Sequence, residues 1–205
     1  MVNLFKRLRK LQTRILQTKV GTGAAIFPSI ASATKEFPAV TRLHLTYARK
    51  IDNGHMGARH FWRNCLPRLK YHNPGVGMSV KQTDDQAGPA ALTIYFAAEK
   101  AGSAAIALAN ERKVTDSLAP SPEANEQSVV LDLRNYTYKQ IWDRVQLMTD
   151  AKVVNPTGED VALQQKLDAI TKKSGPDRER VNSIRQAKQD QERMLAMARG
   201  EVEKV

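Results

Sequence analysis

Residues 57–80 read GARHFWRNCLPRLKYHNPGVGMSV. In the first ten, Ala58, Phe61, Trp62, Cys65 and Leu66 fall on one face at helical spacing. Arg59 and Arg63, four apart, share a different face. Pro67 and the Asn73-Pro74-Gly75 run predict an exit from the helix, with Arg68, Lys70, Tyr71 and His72 in a turn. Val76, Met78 and Val80 then alternate as the inward face of a short strand. From Gly57 to Val76 there is no acid, although His60 and the cations sit among Phe61, Trp62, Leu66 and Tyr71.

Upstream, VTRLHLTYAR (40–49) sets Leu43, Leu45 and Tyr47 against Arg42, His44 and Thr46, the alternation of a half-buried strand. Asn53-Gly54 is the turn signal between that strand and the helix. Downstream, ALTIYFA (91–97) alternates Leu92, Ile94 and Phe96, and SVVLDL (128–133) reads as another strand. Between them, residues 99–127 are rich in Ala, Glu, Ser and Pro. They predict an insertion, helical at its start and otherwise loop. Thr137 with Gln140 three residues on forms a capping box. It opens a helix over 138–149 whose stripe is Ile141, Trp142, Val145 and Met148.

The order over 40–150 is therefore β-α-β followed by β-β-α. The first unit should be parallel and right-handed, and the closing strand pair antiparallel. This predicts an α/β fold with a thioredoxin-like four-stranded mixed sheet and flanking helices, the layers of a sandwich. The expected organisation is an arm over 1–37, a domain over 38–150 carrying the insertion, and a helical extension over 151–205. GTGAAIFPS reads as loop. In the extension, helices are expected at 159–172 and 177–199, the last polar nearly all round and suited to a partner.

Residues 3–18, NLFKRLRKLQTRILQT, space Leu4, Leu8, Leu11 and Ile15 as one stripe. Lys6, Arg7, Arg9, Lys10 and Arg14 occupy the other faces, without an acid. This is a basic amphipathic helix with the composition of a mitochondrial transit peptide. We expect a retained basic arm, with a second role as import signal left open.

Charge is placed unevenly. The net charge is +11, yet residues 1–81 alone carry +13 and the remaining 124 residues carry −2. Such asymmetry points to a polyanion on one side of the molecule, nucleic acid above all. Arginine offers bidentate phosphate contacts, and unpaired RNA bases stack on aromatics. The candidate RNA-binding residues are thus Lys6, Arg7, Arg9, Lys10, Arg14, Arg59, Arg63, Arg68, Lys70, Tyr71 and His72. Phe61 and Trp62 are read as core, and Tyr71 could equally pack under the turn.

Other chemistry finds little support. Cys65 is the only cysteine, which excludes an intrachain disulfide framework and the C-x-x-C of thiol–disulfide exchange. It lies on the apolar stripe at the end of its helix, where a buried structural thiol is expected. His44, His55, His60 and His72 are scattered over strand, turn, helix and loop, without metal-ligand spacing. No phosphate loop, nucleophile elbow or dinucleotide fingerprint occurs. No apolar run approaches the roughly 18 residues of a membrane-spanning helix.

The stretch 57–80 resembles the signature of a thioredoxin-like mitochondrial ribosomal protein family. Its pattern falls here on Gly57, Ala58, Arg59, Phe61, Pro67, Tyr71, Asn73 and Pro74. The family includes proteins of both mitochondrial ribosomal subunits and a small subunit of respiratory complex I. The resemblance covers about residues 38–150. Through its long basic N-terminus and GHMGARHFW, this chain is most similar to the fungal large-subunit member. The resemblance implies a structural constituent of the mitochondrial ribosome in the matrix, the large subunit favoured. It implies rRNA and neighbouring ribosomal proteins as partners, with no catalysis, cofactor, metal or small-molecule substrate. A small-subunit protein or an accessory subunit of complex I is the alternative. For Arg59 it implies proximity to rRNA.

Overall fold

The computed structural model describes residues 4–97 and 102–200. The first residues of the expected insertion, 99–101, and the ends of the arm and the extension lie outside the described residues. The chain forms two compact units, residues 14–156 and a second made of the chain up to Thr13 with the chain from Thr157 onward.

The larger unit is built on β2 (Val40–Ala48), β3 (Gly77–Thr83), β4 (Ala91–Phe96) and β5 (Gln127–Asp132), in the order β3-β2-β4-β5. β2 and β3 are parallel, and β2–β4 and β4–β5 are antiparallel. Between β2 and β3 lie α2 (Met56–Asn64) and α3 (Leu66–His72); α4 (Ser103–Glu111) precedes β5, and α5 (Tyr138–Thr149) follows it. The α/β fold and mixed sheet expected from the element order are those observed.

Leu43 pairs with Ile94 and Leu45 with Leu92, so the apolar members of both strands share one face. Phe61, Cys65, Leu69, Ile141, Val145 and Met148 join them in the core, all fully buried. Burying each large apolar side chain contributes about 1.5–3 kcal/mol. Helix propensity varies by only about 0.7 kcal/mol among ordinary residues. Packing of the stripe therefore decides where α2 and α5 form. Thr137 and Gln140 make the reciprocal capping box, and Asn53 (φ 57°) with Gly54 (φ 87°) makes the left-handed turn into α2.

A turn is expected at 67–75, whereas α3 occupies Leu66–His72 with a proline in its first turn. Proline is tolerated there because that N–H has no intrahelical partner in any case. Val80, expected inward, is 37% exposed, since β3 is an edge strand with β2 on one side only. The segment read as a loop after the arm's helix contains β1 (Ala25–Ile26), which pairs antiparallel with β6 (Lys152–Val153). Two-residue strands leave no periodicity to read.

The second face of the sheet is covered by the insertion. Thr46 and Thr93 both donate to Asp116 Oδ2 (2.7 and 3.4 Å), and the Tyr95 hydroxyl donates to the Pro120 carbonyl. Arg42 lies over the Tyr95 ring, 4.6 Å from its centroid, and pairs with Glu126, which also accepts from Thr41 Oγ1 at 2.6 Å. This cover explains why every residue of β4 is buried.

The Arg42 hydrogen bond holds the Glu126 carboxyl down at about 2. Because folding lowers this pKa, the carboxylate's contribution is complete above the unfolded value of 4.5 and is lost as pH falls toward about 2. Glu126→Gln should cost about 2 kcal/mol at neutral pH, the scale of a charge-assisted hydrogen bond. Its melting temperature should also fall less steeply than the wild type's below pH 5. Parallel curves for the two proteins would contradict this.

In the second unit, α6 (Gly158–Ala198) is one helix of 41 residues, where two helices over 159–172 and 177–199 are expected. Gly175 has no Cβ to meet the proline ring, which removes part of the clash that normally ends a helix there. Thr157 and Asp160 cap its start reciprocally, and Glu159 and Asp160 suit the positive end of the helix dipole. No residue of α6 is buried.

Candidate nucleic-acid interface

The sequence-predicted residues fall into three groups. Lys6, Arg7, Arg9, Lys10 and Arg14 are exposed along α1 (Leu4–Lys19). Lys6, Arg9 and Lys10 face α6, and the apolar stripe lies on the opposite side. Leu4, Leu8, Leu11 and Ile15 are accordingly 47–74% exposed, and Leu16 is the buried residue of the helix. An amphipathic helix normally turns its apolar stripe inward; this one does not within its own chain.

Arg59 and Arg63 sit one turn apart on α2, Arg63 exposed and Arg59 half-buried. Neither guanidinium forms an ion pair among the described residues. Beside them, Trp62 packs against the Tyr47 ring at 6.1 Å between centroids. Phe61 is fully buried, so the aromatics of this stretch fasten α2 to the sheet.

The α3 group behaves differently. Arg68 donates from Nε to the Gln17 carbonyl (2.7 Å) and from Nη1 to the Thr22 carbonyl (2.8 Å). His72 Nε2 donates to the Lys19 carbonyl at 2.8 Å. Gln17 and Lys19 end α1, where the last four carbonyls lack intrahelical partners. Cationic and imidazole donors from α3 thus cap the arm helix. Lys70 Nζ donates to the Pro74 and Val76 carbonyls (3.0 and 2.9 Å), closing the loop into β3. Tyr71 does not pack under that loop. It is half-exposed and stands edge-on to His72.

Several of these contacts were invisible in the sequence. His55 is fully buried, accepting from the Ala48 amide at Nδ1 (3.2 Å) and donating from Nε2 to the Gln86 carbonyl (3.1 Å). Asn73 accepts from the Phe27 amide and donates to the Ala25 and Leu69 carbonyls, each at 2.8 Å. Among the described residues no group of metal-ligating side chains could hold an ion, and no helix is long and apolar enough to cross a membrane.

A sequence model of the family described as mitochondrial ribosomal protein L51 / S25 / CI-B8 domain matches residues 58–119. The large ribosomal subunit protein mL61 of Neurospora crassa is 35% identical over 206 residues, covering 100% of this chain and 98% of the relative. The chain belongs to this mitochondrial ribosomal protein family. Large ribosomal subunit protein mL61 of Saccharomyces cerevisiae is 43% identical over 56 residues, covering 24% of this chain and 41% of the relative.

Family membership gives the motif residues a physical reason. Gly57 carries no side chain because α2 starts against the loop before α5, where a Cβ would meet the Tyr136 carbonyl oxygen. Ala58 and Phe61 are the buried face of α2, and Pro67 opens α3. Asn73 holds β1 to α3. Cys65 joins α2 to α3 with its side chain in the core, and burial pushes its thiol up to about 12, far above the range of a reactive thiolate. The buried, structural position expected for this thiol is the one observed.

Proposed function

We propose that the chain is a structural, non-catalytic constituent of the large subunit of the mitochondrial ribosome, working in the matrix. The identity that runs the full length of a large-subunit protein carries this reading. It reaches beyond the shared domain into the arm and the extension, which a distant member of the domain family has no reason to match.

rRNA is the partner best suited to the acid-poor first 81 residues. Arg59, Arg63 and Tyr71 are the contacts proposed for the larger unit, with Lys6, Arg7, Arg9, Lys10 and Arg14 on the arm. Arg68, Lys70 and His72 act as braces that fix the end of α1 and the α3–β3 loop. The apolar stripe of α1 and the polar faces of α6 leave surface for neighbouring ribosomal proteins.

Sucrose-gradient sedimentation of a tagged chain from mitochondrial lysate tests this. The chain should travel with large-subunit rRNA. A peak with the small subunit, or with a respiratory complex, would assign it to another branch of the family.

A further inference from the structure

We propose that α1 and α6 form a two-walled groove that holds the phosphate backbone of an RNA strand. The proposal rests on the ribosomal reading above and extends RNA contact to the tail helix, whose polarity nearly all round suits it to a partner. The groove has a volume of about 640 Å³ and lies within one compact unit.

Lys6, Arg9 and Lys10 form its α1 wall, Arg178 and Arg185 its α6 wall, and Asp177 is the one acid in the lining. Arg178 and Arg185 are seven residues apart, two helical turns, and so project from one face of α6. Their Cα atoms lie roughly 10 Å apart along the axis at 1.5 Å per residue. The described side chains of Lys6, Arg9, Lys10 and Arg185 form no ion pair, and Arg178 donates only to Ser174 Oγ at 3.2 Å.

Cations of one sign thus face each other across a gap. Left empty of polymer, they repel and gather small anions. A polyanion entering the gap relieves the repulsion and gives up its own condensed counterions. Arginine on one wall adds the planar fork that matches phosphate oxygens in pairs. Leu167, Ile170 and Val181, also on α6, add aliphatic surface to the lining, against which ribose or base faces can rest. A peptide would need carboxylates at the same density, whereas phosphodiester RNA presents one charge at every residue.

Fluorescence anisotropy of the full chain with a labelled single-stranded RNA oligonucleotide, titrated against salt, tests the groove. Arg178→Gln with Arg185→Gln should lower the slope of log K on log salt by about 1.4, since each lost phosphate contact removes about 0.7. Lys172→Gln with Lys173→Gln, on the same helix but outside the lining, should leave the slope unchanged. A wild-type slope in the first pair, or an equal drop in the second, overturns the groove. So does displacement of the RNA by an acidic polypeptide at equal charge concentration, which would make the site one for protein. In each of these cases continued sedimentation with the large subunit keeps the ribosomal reading intact, while a wild-type chain absent from the large subunit removes both.

Discussion

Gly57→Ala is expected to destabilise the protein by about 3 kcal/mol, at the upper end for overpacking. In an ordinary exposed helix position the same change stabilises by roughly 0.5–1 kcal/mol, so the sign itself is diagnostic. An added Cβ would lie 1.7 Å from the Tyr136 carbonyl oxygen and 2.9 Å from its carbon. Both are backbone atoms in the segment that leads into the capping box of α5. They cannot step aside by changing a rotamer, so α2 must lift away from α5. That motion opens the core around Phe61 and Ile141. Urea unfolding measures the effect, and Gly75→Ala is the control, because nothing lies within 4 Å of a Cβ there. Equal stability of the two variants would show that α2 does not dock as described.

Asn73→Ala is the second large effect, about 2–4 kcal/mol, because an abandoned buried polar group costs about 1–3 kcal/mol. The residue is 8% exposed, and its side chain satisfies the Phe27 amide together with the Ala25 and Leu69 carbonyls. Alanine would remove all three partners without admitting water freely. Asn73→Asp would keep an acceptor for Phe27 but set a carboxylate against two carbonyl oxygens, so it should be no milder. The loss should be local before it is global. Hydrogen exchange at the Phe27 amide should quicken more than at β4, as β1 detaches from α3. Unchanged protection at Phe27 in the alanine variant would contradict this role.

Both residues belong to the pattern by which the sequence resembles its family, and neither could be explained at that level. A glycine at the start of a helix and an asparagine before a proline are ordinary turn signals. Their importance comes from segments distant in sequence: Tyr136 for Gly57, and Ala25 and Phe27 for Asn73.

The sequence by itself determined the four principal strands, the helices α1, α2 and α5, and their α/β arrangement. Each is a local repeat of period 2 or 3.6, long enough to read and in agreement with the burial that packing rewards. It also determined the concentration of positive charge before residue 82, because charge needs only counting. Tertiary structure alone decided how that charge is used. Arg68 and His72 point at the carbonyls ending α1, because α3 continues the chain past Pro67 and runs beside them. Arg178 and Arg185 stand opposite Lys6, Arg9 and Lys10, because α6 runs unbroken through Pro176 and turns one face toward α1. A linear sequence records which charges exist, but the sign of a surface depends on which distant side chains are brought within a few ångströms of one another. That is fixed only when the helices pack.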